Sequence, residues 1–430
     1  MQVSVENVGT LERKLTVTIP ADRLEQQVGE RLARMTREVR LKGFRPGKVP
    51  RAVIEKRFGA QVRGEALSDL IGTSFREAVT QEKLRPAAPP AIDTSGQAEG
   101  DQIAYTATFE VMPEVPVVDV EKLTIRRPVA EVAESDVDTM IETLRQQRRS
   151  FEAVDRGARD GDMVLFEFSA RTDDGRVPGE GLERAGVILG SGQFQAEVEK
   201  ALVGHAPHEE FTVEASFPEG FRVAALGGKR ATLQGTLTRV QEPKLPAVDE
   251  AFVKAFGIAG GDVETFRKEV RANLERELQG ALMARLKAEV AAKLAAAQAG
   301  LDVPKVMVAN EARAMLRLPP DAPLSDERLA QVQSAARERV IAGLSFGELA
   351  RSNQLQVDEK RVAEALATVA STYEEPEQVI ELYRTDPQLM SGLRNRVLED
   401  QVAEWVVENA DAEDLVLTFD QAIHPDRQAG

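Results

Sequence analysis

The chain has 430 residues, 42% of them hydrophobic, 29% charged and 5% aromatic, with a formal net charge of −16. At roughly 150 residues per domain this is a globular chain of about two to four domains, not a disordered one. It contains no cysteine, which excludes disulfides, thiolate nucleophiles and cysteine-ligated zinc or iron–sulfur centres. No apolar run approaches the ~18 residues that a membrane span needs. The first stretch, "MQVSVENVGTLERKLTVTIP", has no basic segment leading into an apolar core, so a cytoplasmic protein is expected.

Taken in chain order, residues 12–19 alternate, with Leu15, Val17 and Ile19 on one face, and predict a half-buried strand. Leu24, Val28, Leu32, Met35 and Val39 then recur at helical spacing and predict a helix ending at Gly43. Its other positions carry Arg31, Arg34, Arg37, Arg40 and Lys42. The loop that follows, "LKGFRPGKVPR", places Phe44 among cations, and Pro50 is suited to opening the next helix. A further helix is predicted over 57–84, stopped by "RPAAPPA", and a strand over 102–111. Residues 31–57 hold ten Arg or Lys against Glu38 and Glu55, a local charge of +8, which leaves −24 for the rest. A basic island on an acidic body is drawn to nucleic acid or acidic protein while the body is repelled.

Residues 112–130, with three prolines, read as an extended connection, and Ser135 is placed to cap a helix through 148. Between 160 and 242 the stretches "MVLFEFSA", "EEFTVEASF" and "ATLQGTLTRV" read as strands, and "TDDGR" as a hairpin turn. One short helix fits "FQAEVEKALVG", where Phe194, Val198 and Leu202 lie four apart. From about 249 the pattern is helical, over 262–299, 304–317, 325–353, 358–372 and 387–409. Alanine-rich runs such as "KAEVAAKLAAAQA" favour helix but offer little bulk to bury, which suits arms or grooves better than a thick core.

Motifs for other chemistry are weak. "GFRPGK" lacks the spacing of a phosphate loop, and "GEGLER" and "GSGQFQ" lack the third glycine of a dinucleotide fingerprint. The histidines of "HAPHEE" sit beside Pro207 in a turn, so no metal site and no cofactor are expected.

The loop "GFRPGKVP" resembles the signature of the trigger factor family, bacterial ribosome-associated chaperones. The stretches "TLRQQRRSF", "SFGELARSNQLQVDEKRV", "YEEPEQVIELYRTDPQLMSGLRNRVLEDQVAEWVVE" and "LTFDQAI" resemble the same family in order along the chain. The resemblance implies an elongated, multidomain α+β protein. Its parts would be an α/β ribosome-docking domain over 1–112, a linker with a helix over 113–149, a small β-rich prolyl isomerase domain of the FK506-binding type over 150–245, and an all-helical domain with arms over 246–430. It also implies ribosome contact near the exit tunnel, on protein and rRNA, through Gly43, Phe44, Arg45, Gly47 and Lys48. Cations would meet phosphates or acidic side chains, and Phe44 would add apolar contact or stack on a base. Pro46 stands where the family often has a basic residue. The alternative for Phe44 is a solvated turn in which the ring folds back onto the neighbouring helices.

The family's isomerase pocket is aromatic and includes an Ile-Pro-Gly-aromatic turn. Here the corresponding stretch is Phe194-Gln195-Ala196-Glu197-Val198, with Glu197 bringing charge towards the pocket. Phe168, Phe221 and Leu233 correspond to pocket positions, with Glu167 beside them where the wider superfamily has Asp; core packing is the competing reading of the two phenylalanines. Each ~1.4 kcal/mol of lost transition-state binding lowers the rate tenfold, so reduced isomerase activity is expected. Nascent and unfolded chains would be the clients, held without ATP between 113–149 and 246–430, with Met307, Val308, Met315, Leu316 and Leu318 as contact residues. No membrane partner is expected; a weak homodimer off the ribosome is. Two other functions stay open: a soluble prolyl isomerase whose flanking domains recruit substrate, and a free nucleic-acid binder using the basic island.

Overall fold

The computed structural model describes residues 1–39, 44, 49–94, 102–221, 223–258, 260–319 and 322–425. Strand β1 (Gln2–Asn7) pairs antiparallel with β2 (Glu12–Pro20), on which Leu15, Val17 and Ile19 are fully buried. Helix α1 (Ala21–Glu38) buries Leu24, Val28 and Leu32. It ends before the predicted Gly43, because Val39 is already extended at φ −74° and ψ 131°. Arg40 and Lys42, which the pattern placed on this helix, lie outside the described residues. Helix α2 (Arg51–Gln81) is a single helix of 31 residues where the sequence predicts two. Ile54, Val62, Ala66, Leu70 and Phe75 form one continuous buried stripe through it, so packing overrides the glycines at 59, 64 and 72.

Strands β3 (Ala91–Asp93) and β4 (Gln102–Glu110) complete a sheet in the order β1-β2-β4-β3. Tyr105 pairs with Val17 in register, and its hydroxyl meets Ser74 Oγ of α2 at 2.9 Å, giving both buried groups a partner. Burial pushes the Tyr105 phenol above its ordinary pKa. The proline-containing stretch, expected to be extended, is interrupted by a 3-10 turn at Val120–Lys122, and its end forms β5 (Thr124–Val129).

Helix α3 (Glu134–Gln147) is capped by Asp136, whose carboxylate accepts from the Ala133 N–H at 2.8 Å; Ser135, the predicted cap, is already inside the first turn. A six-stranded antiparallel sheet follows, built from β6 (Ser150–Val154), β7 (Met163–Thr172), β8 (Gly175–Val177), β9 (Glu183–Ile188), β10 and β11. Helix α4 (Ala196–Leu202) precedes β10 (Glu210–Ser216) and the long β11 (Arg230–Lys244). The predicted hairpin is present, with Thr172 opposite Gly175. Gly235 is required where β11 crosses β7: a Cβ there would lie 2.4 Å from the Glu167 carbonyl oxygen.

Helix α5 (Glu250–Lys254) and the start of α6 (Val263–Ala297) pack Phe252, Val253, Phe266, Val270 and Leu274 against Val137 and Ile141 of α3. Arg267 joins α6 to Glu134 and Asp138 of α3 at 3.0 and 2.7 Å. Helices α7 (Lys305–Met315), α8 (Asp326–Ser352), α9 (Glu359–Ala370), α10 (Pro376–Thr385) and α11 (Pro387–Asn409) follow. The helical pattern is then broken by β12 (Asp411–Val416), which pairs parallel with β5, before the short α12 (Phe419–Ile423). Leu286, Val290 and Leu294 of α6 share a core with Phe346 and Leu349 of α8, Val402 and Val406 of α11, and Ile125 of β5. The chain thus divides into two compact units, one of Met1–Val129 with Leu282–Val416, the other of Ala130–Ala281 with Leu417–Gly430.

Candidate functional site

Three regions carry the predicted site residues. In the first, Val39 and Val49 at the two ends of the cationic loop pack into the core beneath β2 and α2, with Val49 only 2% exposed. Phe44 is a bend residue 40% exposed, a large apolar ring left at the surface. Gly43, Arg45, Gly47 and Lys48, and the departing Pro46, lie outside the described residues. One cation of the basic island is neutralised within the fold: Arg31 pairs with Asp69 of α2. Arg34, Arg37, Lys56 and Arg57 are exposed.

The second region is the interior of the six-stranded sheet. Phe168 and Leu233 are completely buried, and Phe221 is half-buried against the same core. The aromatic at its centre is one that the pattern assigned only to a helix stripe. Phe194 meets Phe166 and Phe221 at 5.6 Å, Phe168 at 6.2 Å and Phe217 at 6.4 Å, each ring edge-on. Phe166 and Phe168 are themselves 5.6 Å apart, and Phe217 and Phe221 4.7 Å. The space between these rings is occupied by the chain's own side chain.

Neither of the two carboxylates named beside the pocket is buried in this interior. Glu197 is exposed, because it falls on the outer side of the turn that buries Val198. Glu167 lies on the outward face of β7, between buried Phe166 and Phe168, and bonds Arg184 at 2.7 Å. The carboxylate that enters the interior is Glu199, only 5% exposed. It accepts from the N–H groups of Gly190 at 2.9 Å, Gly192 at 3.3 Å and Phe194 at 2.8 Å. Gly190 and Gly192 have φ of +80° and +69°, which only glycine adopts without strain, and this turns the loop around the carboxylate. The signal was present in "GSGQFQAEVE": two glycines, then a carboxylate adjoining an apolar stripe. Just before β7 of the same sheet, Asp162 is 2% exposed and takes both Arg156 Nη atoms, at 2.6 and 3.1 Å. The bonds to Asp162 and then to Glu242 hold the Arg156 guanidinium above its ordinary pKa.

The third region is the pair α7 and α8. Val308 is buried with Ala312, Ala336 and Val340, so it is core; Met307 and Met315 pack at the margin of this cluster. Leu316 and Leu318 are half-buried just beyond α7.

Against known proteins, residues 1–144 match the family model described as bacterial trigger factor protein, and residues 262–319 and 321–408 match the model of its C-terminus. Trigger factor of Stenotrophomonas maltophilia strain R551-3 is 47% identical over 438 residues, covering 98% of this chain and all of its own. That of Xanthomonas euvesicatoria pv. vesicatoria strain 85-10 is 48% identical over 434 residues at the same coverage. This chain belongs to the trigger factor family. A solved trigger factor chaperone, described with promiscuous substrate recognition in folding and assembly, covers 95% of the chain at 16% identity and a TM-score of 0.45. Family membership fits the multidomain α+β architecture, and among the described residues no helix is long and apolar enough to cross a membrane. The family models leave residues 145–261 unmatched, a stretch that contains the six-stranded sheet.

Proposed function

We propose that the protein is a cytoplasmic, ATP-independent chaperone that docks on the large ribosomal subunit near the exit tunnel and shields nascent chains. The domain division expected from the sequence is kept: docking by 1–112, client contact by 113–149 and 246–430, and an isomerase-type domain over 150–245. The observation that carries this reading is family membership along 98% of the chain, joined by a surface Phe44 in the cationic loop. Gly43, Arg45, Gly47 and Lys48 complete the docking element; Met307, Met315, Leu316 and Leu318 are the client-contact residues, supported from beneath by Val308. Docking through cations releases counterions and weakens as salt rises.

The test is co-sedimentation with ribosomes at low and moderate salt. The wild type pellets with ribosomes at low salt and is progressively lost from the pellet at higher salt. A Phe44→Ala/Arg45→Ala variant binds at least tenfold more weakly. A variant that pellets as well as the wild type removes the loop from the docking site.

The isomerase activity is proposed to be weak. Isomerisation must lower a barrier of ~18–20 kcal/mol by taking a twisted prolyl amide into an apolar pocket, and here Phe194 occupies the centre of the aromatic cluster. A peptide assay on an X–Pro substrate should give rates well below those of a trigger factor that retains the Ile-Pro-Gly-aromatic turn. Equal rates would show that a prolyl ring binds without displacing Phe194.

A further inference from the structure

Residues 113–118, "PEVPVV", are extended between β4 and β5 but lie in no strand. Among the described residues, the N–H groups of Glu114, Val115, Val117 and Val118 make no hydrogen bond. The one main-chain partner in the segment is on Pro116, whose carbonyl accepts from Gln298 Nε2 at 2.6 Å. Gln298, at the end of α6, is 8% exposed, and its Oε1 has no donor among the described residues. In extended backbone, alternate residues present their N–H and C=O to opposite sides. Gln298 holds the Pro116 carbonyl, and the N–H groups of Val115 and Val117 on either side of it have no partner among the described residues.

Grooves lie along this segment. One, of about 1070 Å³, is lined by Leu11, Leu84, Glu114, Val115 and Val117, with Gly343 and Gly347 of α8 opposite. The other, of about 720 Å³, shares Leu11, Glu114 and Val117 and continues over Val118, Gln298 and Leu301. A Cβ at Gly343 or Gly347 would meet no atom within 4 Å. Two glycines inside a helix, each about 1 kcal/mol worse than Ala, are thus not demanded by packing and leave bare backbone facing the groove. Val117 itself is 59% exposed.

We propose that an extended segment of unfolded polypeptide adds as a strand alongside Val115–Val117, held by its main chain, with alternate side chains entering the two grooves. This rests on the chaperone reading and gives it a site. The occupant follows from the chemistry: an unfolded chain has unpaired main-chain donors and acceptors, whereas a folded partner has already used its own. Recognition through the backbone is indifferent to most of the client's sequence. Pro113 and Pro116 lack N–H groups, which discourages the segment from zipping into a sheet of its own protein.

The experiment is amide hydrogen exchange on the full chain, with and without reduced, carboxymethylated α-lactalbumin, and with native α-lactalbumin as control. Exchange at Val115 and Val117 should slow at least tenfold with the unfolded probe and stay unchanged with the native one. A Val117→Pro variant, which removes one N–H that has no partner in the fold, should bind the unfolded probe at least fivefold more weakly, while Val117→Ala stays within about twofold. Unchanged exchange with the probe bound elsewhere would overturn the proposal and leave the chaperone reading standing. Failure to bind the unfolded probe at all would end both. Slowing that follows the protein's own concentration, with no probe added, would assign the strand to a second copy and overturn it too.

Discussion

Replacing Glu199 by Ala lowers the thermal midpoint of the β-rich region by about 5–20 °C. The carboxylate is 5% exposed and accepts three main-chain N–H groups. Removing it strands the buried Phe194 N–H, at roughly 1–3 kcal/mol, while Gly190 and Gly192 are exposed and their N–H groups can turn to water. A loss of about 1–3 kcal/mol is therefore expected. For a region of about 100 residues, each kcal/mol moves the midpoint by about 4–8 °C. Glu199→Gln keeps the acceptor oxygen but introduces an amide with two donors, and should fall between wild type and Ala. The measurement is thermal unfolding followed by near-ultraviolet circular dichroism or calorimetry. A shift under 3 °C for the Ala variant would mean that the loop finds other acceptors and that Glu199 does not organise it.

Phe194→Ala should be more damaging, for a different reason. The ring touches four other phenyl rings at 5.6–6.4 Å and is 7% exposed. Truncation removes its transfer free energy and leaves a cavity that the rigid sheet closes only in part, a loss of about 3–5 kcal/mol. Phe194→Leu retains most of the volume and should cost less than about 2 kcal/mol. Denaturant unfolding of the three proteins measures this directly. The contrast also tests the pocket: if Phe194 is what fills the prolyl site, the Ala variant should bind a small apolar probe such as benzene and regain part of its stability. An Ala variant that gains nothing from benzene, at nearly wild-type stability, would show that the ring lies against the cluster without filling it.

The periodicities were legible where one face of an element is buried and the other wet. Leu15, Val17 and Ile19 of β2, and Leu24, Val28 and Leu32 of α1, are buried as their spacing requires. Short edge strands escaped the sequence. Strands β3 and β8 are three residues each, too few to display a period. Strand β12 is exposed along its whole length, so its pairing with β5 depends on residues nearly 290 positions earlier rather than on its own pattern. The merging of two predicted helices into α2 has the same origin: a continuous core opposite the helix outweighs local glycine propensity.

By itself the sequence determined the family, through motifs spread along the whole chain, and with it the cationic loop and its aromatic residue. Composition also set the absence of thiol chemistry, because chemistry that needs a residue type is decided by whether that residue occurs. The tertiary structure decided which side chains meet. That Glu199 rather than Glu197 turns inward, and that Phe194 sits among four rings contributed by β7 and the segment after β10, depends on elements distant in sequence closing on one core. Burial of a carboxylate and filling of a cavity are properties of that closure. No local pattern of residues specifies them, since the same helix stripe can line an open pocket or close it.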